Sequence, residues 1–243
     1  MNILSIGNSF SQDAQRYLHR IARADGVELN TVNLYIGGCP LSKHYQNMLL
    51  DSRAYELEVN GERTGFFVTM KEALLNRPWD VVTLQQVSSR SPDYETYSPY
   101  LEELAAYVRK CVPKAKIAIH QTWAYEQASK RLCEELGYQD QADMFRDIKI
   151  AYEKAAAAIG ADLLIPAGEV FQELIAAGQT VHRDTFHASF GLGRFTLGLL
   201  WYGILTGRDV AGNTFADLDE DVTSEQIALA EACAEKVIKR HCE

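Results

Sequence analysis

Several features that would mark other kinds of protein are scarce or missing in this chain. Its 243 residues include five cysteines, Cys39, Cys111, Cys133, Cys233 and Cys242, and no Cys-x-x-Cys pair. An odd count without paired spacing argues against a disulfide framework and against a zinc site, and points to thiols in a reducing compartment. No run of lysine and arginine forms a basic stripe, and 24 basic against 33 acidic residues leave a net charge of −9. Nucleic acid and anionic membrane surfaces are therefore not expected as partners. The most apolar stretch, residues 190–205, is interrupted by Arg194 and by Gly191, Gly193, Gly198 and Gly203. It is too short and too broken for a membrane span and reads as a buried helix. Met1 runs into the first strand without a basic leader or cleavage site, so the expected location is the cytoplasm. A phosphate-binding Gly-x-x-x-x-Gly-Lys-Ser/Thr loop is absent, which ranks a phosphate-handling enzyme last. Repeats, low-complexity tracts and linkers are also lacking. With 47% apolar residues, the chain is read as a single domain over residues 1–243.

What is present is an alternation of strand-like and helix-like segments. Short apolar runs at residues 3–6, 30–36, 80–85, 116–121 and 162–165 are each followed by a helical pattern. This predicts an α/β fold: a five-stranded parallel sheet covered on both faces, in the doubly wound order 2-1-3-4-5. The first helix begins at Ser9, carries Ala14, Tyr17, Leu18, Ile21 and Ala22 on one face, and ends near Gly26. Further helices are expected at 41–50, 69–76, 98–111, 126–159 with a break near Gly137, 169–177, 188–206 and 224–241. Alternation on both sides of Asn60-Gly61 predicts a small β-hairpin over residues 55–67, inserted on the rim and outside the main sheet.

Ligands in such sheets bind beyond the carboxyl ends of the strands, at the switch point. The loops that follow strands one, two and three meet there. They contain Ser9, Gly37-Gly38 and Gln85-Gln86. Ser9 sits at a strand-to-helix turn beside free backbone N–H groups, a position for a nucleophile whose reaction builds charge on oxygen. The same turn also suits an N-cap or a phosphate cradle. Asp184-Thr185-Phe186-His187 supplies a base, His187, and an acid, Asp184, to orient it; a surface turn capping the next helix is the plainer reading of that segment. Oxyanion donors would be the N–H groups of Ser9 and Gly38 and a side-chain amide from Gln86 or Gln85. Asn8 and Gln85 beside these groups, with His120 and Trp123 closing strand four, are the candidate substrate-binding residues. Arg183 is a candidate for a substrate carboxylate and His182 a rival base ranked below His187. Cys39 reads as a small apolar loop residue before it reads as a reactive thiol.

Taken in order, these blocks resemble the SGNH (GDSL-like) hydrolase superfamily, and most of all a branch of undefined function. The Gly-Asp-Ser block after strand one stands here as Gly7-Asn8-Ser9-Phe10. The glycine after strand two is matched by Gly38 or Gly37, and the final Asp-x-x-His by Asp184 and His187. The third block departs: Leu84-Gln85-Gln86-Val87-Ser88-Ser89 replaces the usual Gly-x-Asn-Asp. Position places Ser89 near the missing asparagine, whereas amide chemistry favours Gln86. The resemblance implies a three-layer α/β/α sandwich with a flavodoxin-like sheet and ester hydrolysis without metal or organic cofactor. Many relatives remove acetyl groups from carbohydrates, and others cleave lipid or thioester acyl groups. The expectation is a serine esterase acting on a small acyl ester, in particular an acetyl ester on a carbohydrate. The altered third block keeps open an alternative, a non-catalytic glycan- or anion-binding module on the same fold.

Overall fold

The computed structural model describes residues 1–242; the Cys242 side chain and Glu243, and with them the thiol expected at Cys242, lie outside the described residues. Five strands form the parallel heart of the sheet: β1 (Asn2–Gly7), β2 (Asn30–Tyr35), β5 (Val81–Leu84), β6 (Lys116–His120) and β7 (Leu163–Ile165). They lie in the order β2-β1-β5-β6-β7, which is the predicted order. The register sets Ile6 of β1 between Leu34 and Leu84, and Leu84 in turn against Ile119. Ile3, Leu4, Ile6, Val82, Leu84, Ile117 and Ile119 are all buried, as strands covered on both faces require.

Helices supply the two outer layers. On one face α1 (Ser9–Gln15), α2 (Leu18–Ala24), α7 (Ala167–Ala176), α8 (Leu192–Thr206) and α9 (Ser224–Cys242) pack together. The other face holds α3 (Leu41–Leu49), α4 (Met70–Leu75), α5 (Tyr100–Cys111) and α6 (Gln141–Ile159). Residues 192–205 of α8 are buried throughout, which accounts for the apolar stretch seen in the sequence. Among the described residues no helix is long and apolar enough to cross a membrane.

The hairpin is where the fold departs from expectation. Its strands β3 (Tyr55–Val59) and β4 (Glu62–Val68) do not sit apart from the sheet. β3 pairs antiparallel with β2, through Val32 with Val59 and Leu34 with Leu57, so the sheet has seven strands. The reason is physical: β2 would otherwise end the sheet with a row of unpaired N–H and C=O groups. Asn60 and Gly61 take positive φ of 52° and 83°, as a tight hairpin turn requires. The turn docks on the first helical segment, where the Arg16 guanidinium donates to the Gly61 carbonyl at 3.0 Å.

Two predicted helices are also broken. The first splits at Arg16-Tyr17 into α1 and α2. Tertiary bonds hold the break open: the Tyr17 hydroxyl donates to the Phe190 carbonyl at 2.6 Å and accepts from the Asp219 amide at 2.7 Å. In the stretch 126–159 regular helix begins only at Gln141, behind the N-cap Asp140. Before it come Ala128 at φ +61°, one π-helical turn at Arg131–Glu135 and Gly137 at φ +78°.

Candidate active site

Ser9 opens α1 directly after β1. Asn8 caps the helix: its Oδ1 accepts from the Phe10 amide at 3.0 Å, and its own N–H donates to Ser11 Oγ at 3.1 Å. The serine is thereby fixed on a short, capped turn at the end of a central strand. The loop after β2 approaches from one side. Gly38 there has φ +62°, a conformation side chains other than glycine rarely adopt. Ser9, Gly38 and Ser89 line one cavity, and among the described residues their backbone N–H groups make no hydrogen bond within the protein.

The segment 182–188 brings the histidine. Asp184 Oδ1 accepts from the His187 amide at 2.8 Å, and its Oδ2 accepts from His187 Nδ1 at 2.8 Å. The other ring nitrogen, Nε2, is 2.8 Å from Ser9 Oγ. With Nδ1 donating to the carboxylate, Nε2 is the acceptor for the serine hydroxyl. Partial burial alone would raise the Asp184 carboxyl, but the hydrogen bonds from the His187 ring and amide outweigh it and hold the group below the usual carboxylate range. Thr185 takes φ +75°, a strained value for a β-branched residue that makes the three-residue return possible.

This strained turn is held from several directions. The Thr185 carbonyl accepts from the Glu126 amide at 2.7 Å, and the Phe186 carbonyl from Trp123 Nε1 at 2.7 Å. Asp13, wholly buried on α1, accepts from the Ala188 amide at 3.1 Å and from Arg183 and Arg194 at 2.9 and 2.8 Å. Nothing in the local sequence marked Asp13. Arg183, expected to be available to a substrate carboxylate, is spent on this ion pair. His182, the rival base, is buried and donates Nε2 to the Ala124 carbonyl at 3.0 Å; burial pushes its pKa down to about 4.

The residues expected to contact substrate sit one layer behind the cavity. Trp123 is fully buried, stacked on Phe10 with ring centroids 4.1 Å apart, and has no face to offer a sugar. His120 is fully buried and donates Nδ1 to Gln85 Oε1 at 2.9 Å. Gln85 in turn donates to Asn8 Oδ1 at 2.7 Å, and Asn8 Nδ2 donates to the Cys39 carbonyl at 3.2 Å. Asn8, Gln85 and His120 thus form a chain that fixes the turn carrying Ser9, although Asn8 also touches the cavity wall. Cys39 is a buried free thiol, and burial pushes it up to about 12.

Gln86 requires a correction as an oxyanion donor. Its Oε1 accepts from the Leu41 and Val87 amides at 3.0 and 2.9 Å, and its Nε2 donates to Thr96 O and Oγ1 at 3.0 and 3.2 Å. The amide is fully engaged in tying the loops after β2 and β5 together, and it does not line the cavity. Ser89, the residue favoured by position, does.

The cavity has a volume of about 360 Å³ and is closed by Tyr35, Ser88, Tyr125, Arg131 and Phe186 around Ser9 and His187. Sequence reasoning missed these wall residues. Tyr125 had one available signal, its place just past the carboxyl end of β6. Among the described residues no group of three His, Cys, Asp or Glu side chains could hold a metal ion.

A solved structure of a protein of the DUF4886 family from Bacteroides uniformis superposes with a TM-score of 0.92 at 33% identity, covering 98% of this chain and 95% of that one. A candidate SGNH hydrolase from Slackia heliotrinireducens shares the fold at a TM-score of 0.61 and 23% identity, over 84% of this chain and 98% of that one. A mutant form of Axe2, an acetyl-xylooligosaccharide esterase from Geobacillus, shares it at 0.53 and 14% identity, over 84% and 94%. No protein among the curated sequences matches the chain. The architecture is that of the SGNH and GDSL-like hydrolases. Over residues 2–237 the chain matches the domain of unknown function DUF4886, and it belongs to that family.

Proposed function

We propose that the protein is a serine esterase that removes a small acyl group, an acetyl group foremost, from an alcohol such as a carbohydrate hydroxyl. The observation that carries this reading is the unbroken relay of two 2.8 Å hydrogen bonds, Ser9 Oγ to His187 Nε2 and His187 Nδ1 to Asp184 Oδ2. A serine bonded to a base that is itself oriented by a carboxylate is the arrangement acyl transfer needs.

In the proposed reaction Ser9 Oγ attacks the ester carbonyl while its proton passes to His187 Nε2. The N–H groups of Ser9, Gly38 and Ser89 hold the oxyanion as it forms. The tetrahedral adduct then expels the alcohol, which takes the proton from His187, and leaves an acyl group on Ser9. Water, deprotonated by His187, releases the acid and restores the serine. Asp184 stabilises the imidazolium in both halves. The cavity, about 360 Å³, suits a short acyl group, being at the small end of ligand sites.

The test is hydrolysis of acetyl, butyryl and longer aryl esters and of acetylated sugars by wild type and Ser9→Ala side by side. The shared fold with an acetyl-xylooligosaccharide esterase is the reason to include acetylated sugars. The expected result is turnover that falls with acyl length and drops by about 10⁴ to 10⁶ in Ser9→Ala. Near-normal turnover by Ser9→Ala, or failure of a serine-directed phosphonate to label the wild type, overturns the reading.

A further inference from the structure

The cavity beside Ser9 holds one positive charge that the proposed chemistry does not use. Arg131 opens the π-helical turn Arg131–Glu135, on irregular backbone that follows the left-handed Ala128. The guanidinium carbon of Arg131 lies 4.0 Å above the centroid of Phe186, and the Phe186 ring lies 3.9 Å from that of His187. One aromatic ring thus separates Arg131 from the imidazole, and Arg131 lines the same cavity as Ser9.

The other arginines around the site are committed elsewhere. Arg183 and Arg194 pair with Asp13, and Arg16 pairs with Asp219 and Glu62. Arg131, by contrast, has no carboxylate within ion-pairing distance among the described residues. An unpaired cation on the wall of a concave site, in a chain of net charge −9, attracts an anion to that point. Phe186 covers one face of the guanidinium and the Tyr125 hydroxyl lies beside it; a guanidinium has five N–H donors, so one hydroxyl neighbour leaves others for a planar acceptor. The hydroxyls of Ser88 and Tyr125, 2.9 Å apart on the same wall, add polar groups near that position.

We infer that Arg131 is an anion subsite, and that the preferred ester carries a carboxylate on its alcohol part. This rests on the esterase reading above and narrows it to acylated hydroxycarboxylates. Arg131 acts by binding the group that does not react, so it shows itself in discrimination between substrates.

The experiment compares 3-acetoxybenzoate with 3-acetoxybenzamide, which share a ring and a reacting ester and differ in charge. Wild type should favour the carboxylate in kcat/KM by about 10-fold to 100-fold, chiefly through KM, the range for a charge-assisted hydrogen bond. Arg131→Met should bring the ratio of the two towards one, and Arg131→Lys should restore part of it. The ratio is internal to each preparation and does not depend on the fraction folded. Equal use of both esters by wild type, or a preference that survives in Arg131→Met, overturns the proposal. A second readout needs no turnover: 3-hydroxybenzoate should bind Ser9→Ala in a calorimeter, and not the Ser9→Ala, Arg131→Met double variant. If the esterase reading fails because Ser9→Ala still turns over ester, this binding difference still decides the subsite. Binding that is absent from Ser9→Ala, or equal in the two proteins, overturns it.

Discussion

Asp184 and Asp13 both hold the turn that carries His187, under opposite conditions. Asp184 stands three residues from the histidine with its side chain 44% exposed, while Asp13 comes from the far end of the chain and is wholly buried. A carboxylate near solvent stays charged at little cost and follows the ring through its protonation cycle. One removed from water must be matched on every side, and Asp13 is, by Arg183, Arg194 and the Ala188 amide. The same division runs through the whole site. Ser9 and His187 line the cavity and are bonded to each other, and half-exposed Asp184 is bonded to the far side of the His187 ring. Gln85, Gln86, His120 and Trp123 stand behind them, with Asn8 reaching from this layer to the cavity wall, and are bonded to the backbone and to one another. In the proposed reaction the groups in front carry the chemistry, and the groups behind fix where it happens.

The sharpest way to break this division is to remove one charge from each layer. Asp184→Asn should lower kcat by about 10⁴, the cost of losing the acid that orients a catalytic histidine. Its urea unfolding should stay within about 1 kcal/mol of wild type, because a half-exposed pair contributes little to stability. Retained kcat in this variant would remove Asp184 from the mechanism. Asp13→Asn should do the reverse. It leaves two arginines facing a neutral amide in the interior, and urea unfolding should show a loss of about 3–5 kcal/mol. If Asp13→Asn leaves stability intact and abolishes turnover as Asp184→Asn does, the two layers are not distinct.

How much of this was legible in the sequence follows from the range of each signal. Asp184 and His187 could be read because both lie within one turn of chain, and the parallel strands because each is a short, largely apolar run; their order came from a common doubly wound topology. Gln86 was assigned to the oxyanion because its chemistry matched the missing asparagine. Residue chemistry does not tell where an amide points, and here the Leu41 and Val87 amides and Thr96 claim it first. His120 and Trp123 were placed on the rim because strand ends approach the site, yet Trp123 turns inward onto Phe10. The hairpin signal identified two strands and a turn correctly, but the partner of β3 is β2, on the other side of α3 in the chain, and the pairing is set by an edge that exists only in the folded sheet. Asp13 was invisible for the same reason. Its partners Arg183 and Arg194 are meaningful only once α1 and α8 meet. Arg131 lay in a stretch read as regular helix, and the π-turn that presents it has no periodic signature.

The histidines sharpen the comparison with a smaller effect. His187 lines the cavity, whereas His44, His120 and His182 are buried. Burial depresses these three rings from an ordinary value of about 6.5, to about 3 for His44 and His120 and about 4 for His182. Between those values and 6.5 the native rings stay neutral while the unfolded chain takes up protons. Stability that depends on the neutral rings is therefore fully present above pH 6.5 and declines as pH falls towards the native values. Each ring contributes about 1.4 kcal/mol per pH unit in that window. His44 isolates the effect, because it stacks on Tyr55 away from the cavity, with ring centroids 5.7 Å apart. A His44→Phe variant keeps a stacked ring and removes one titrating group. Unfolding free energies from urea titrations between pH 6.5 and 4.5 should fall less steeply in this variant than in wild type, by about 1.4 kcal/mol per pH unit. Identical slopes would mean that His44 takes up its proton in the native state, and that burial there excludes charge less strictly than the depth of the side chain implies.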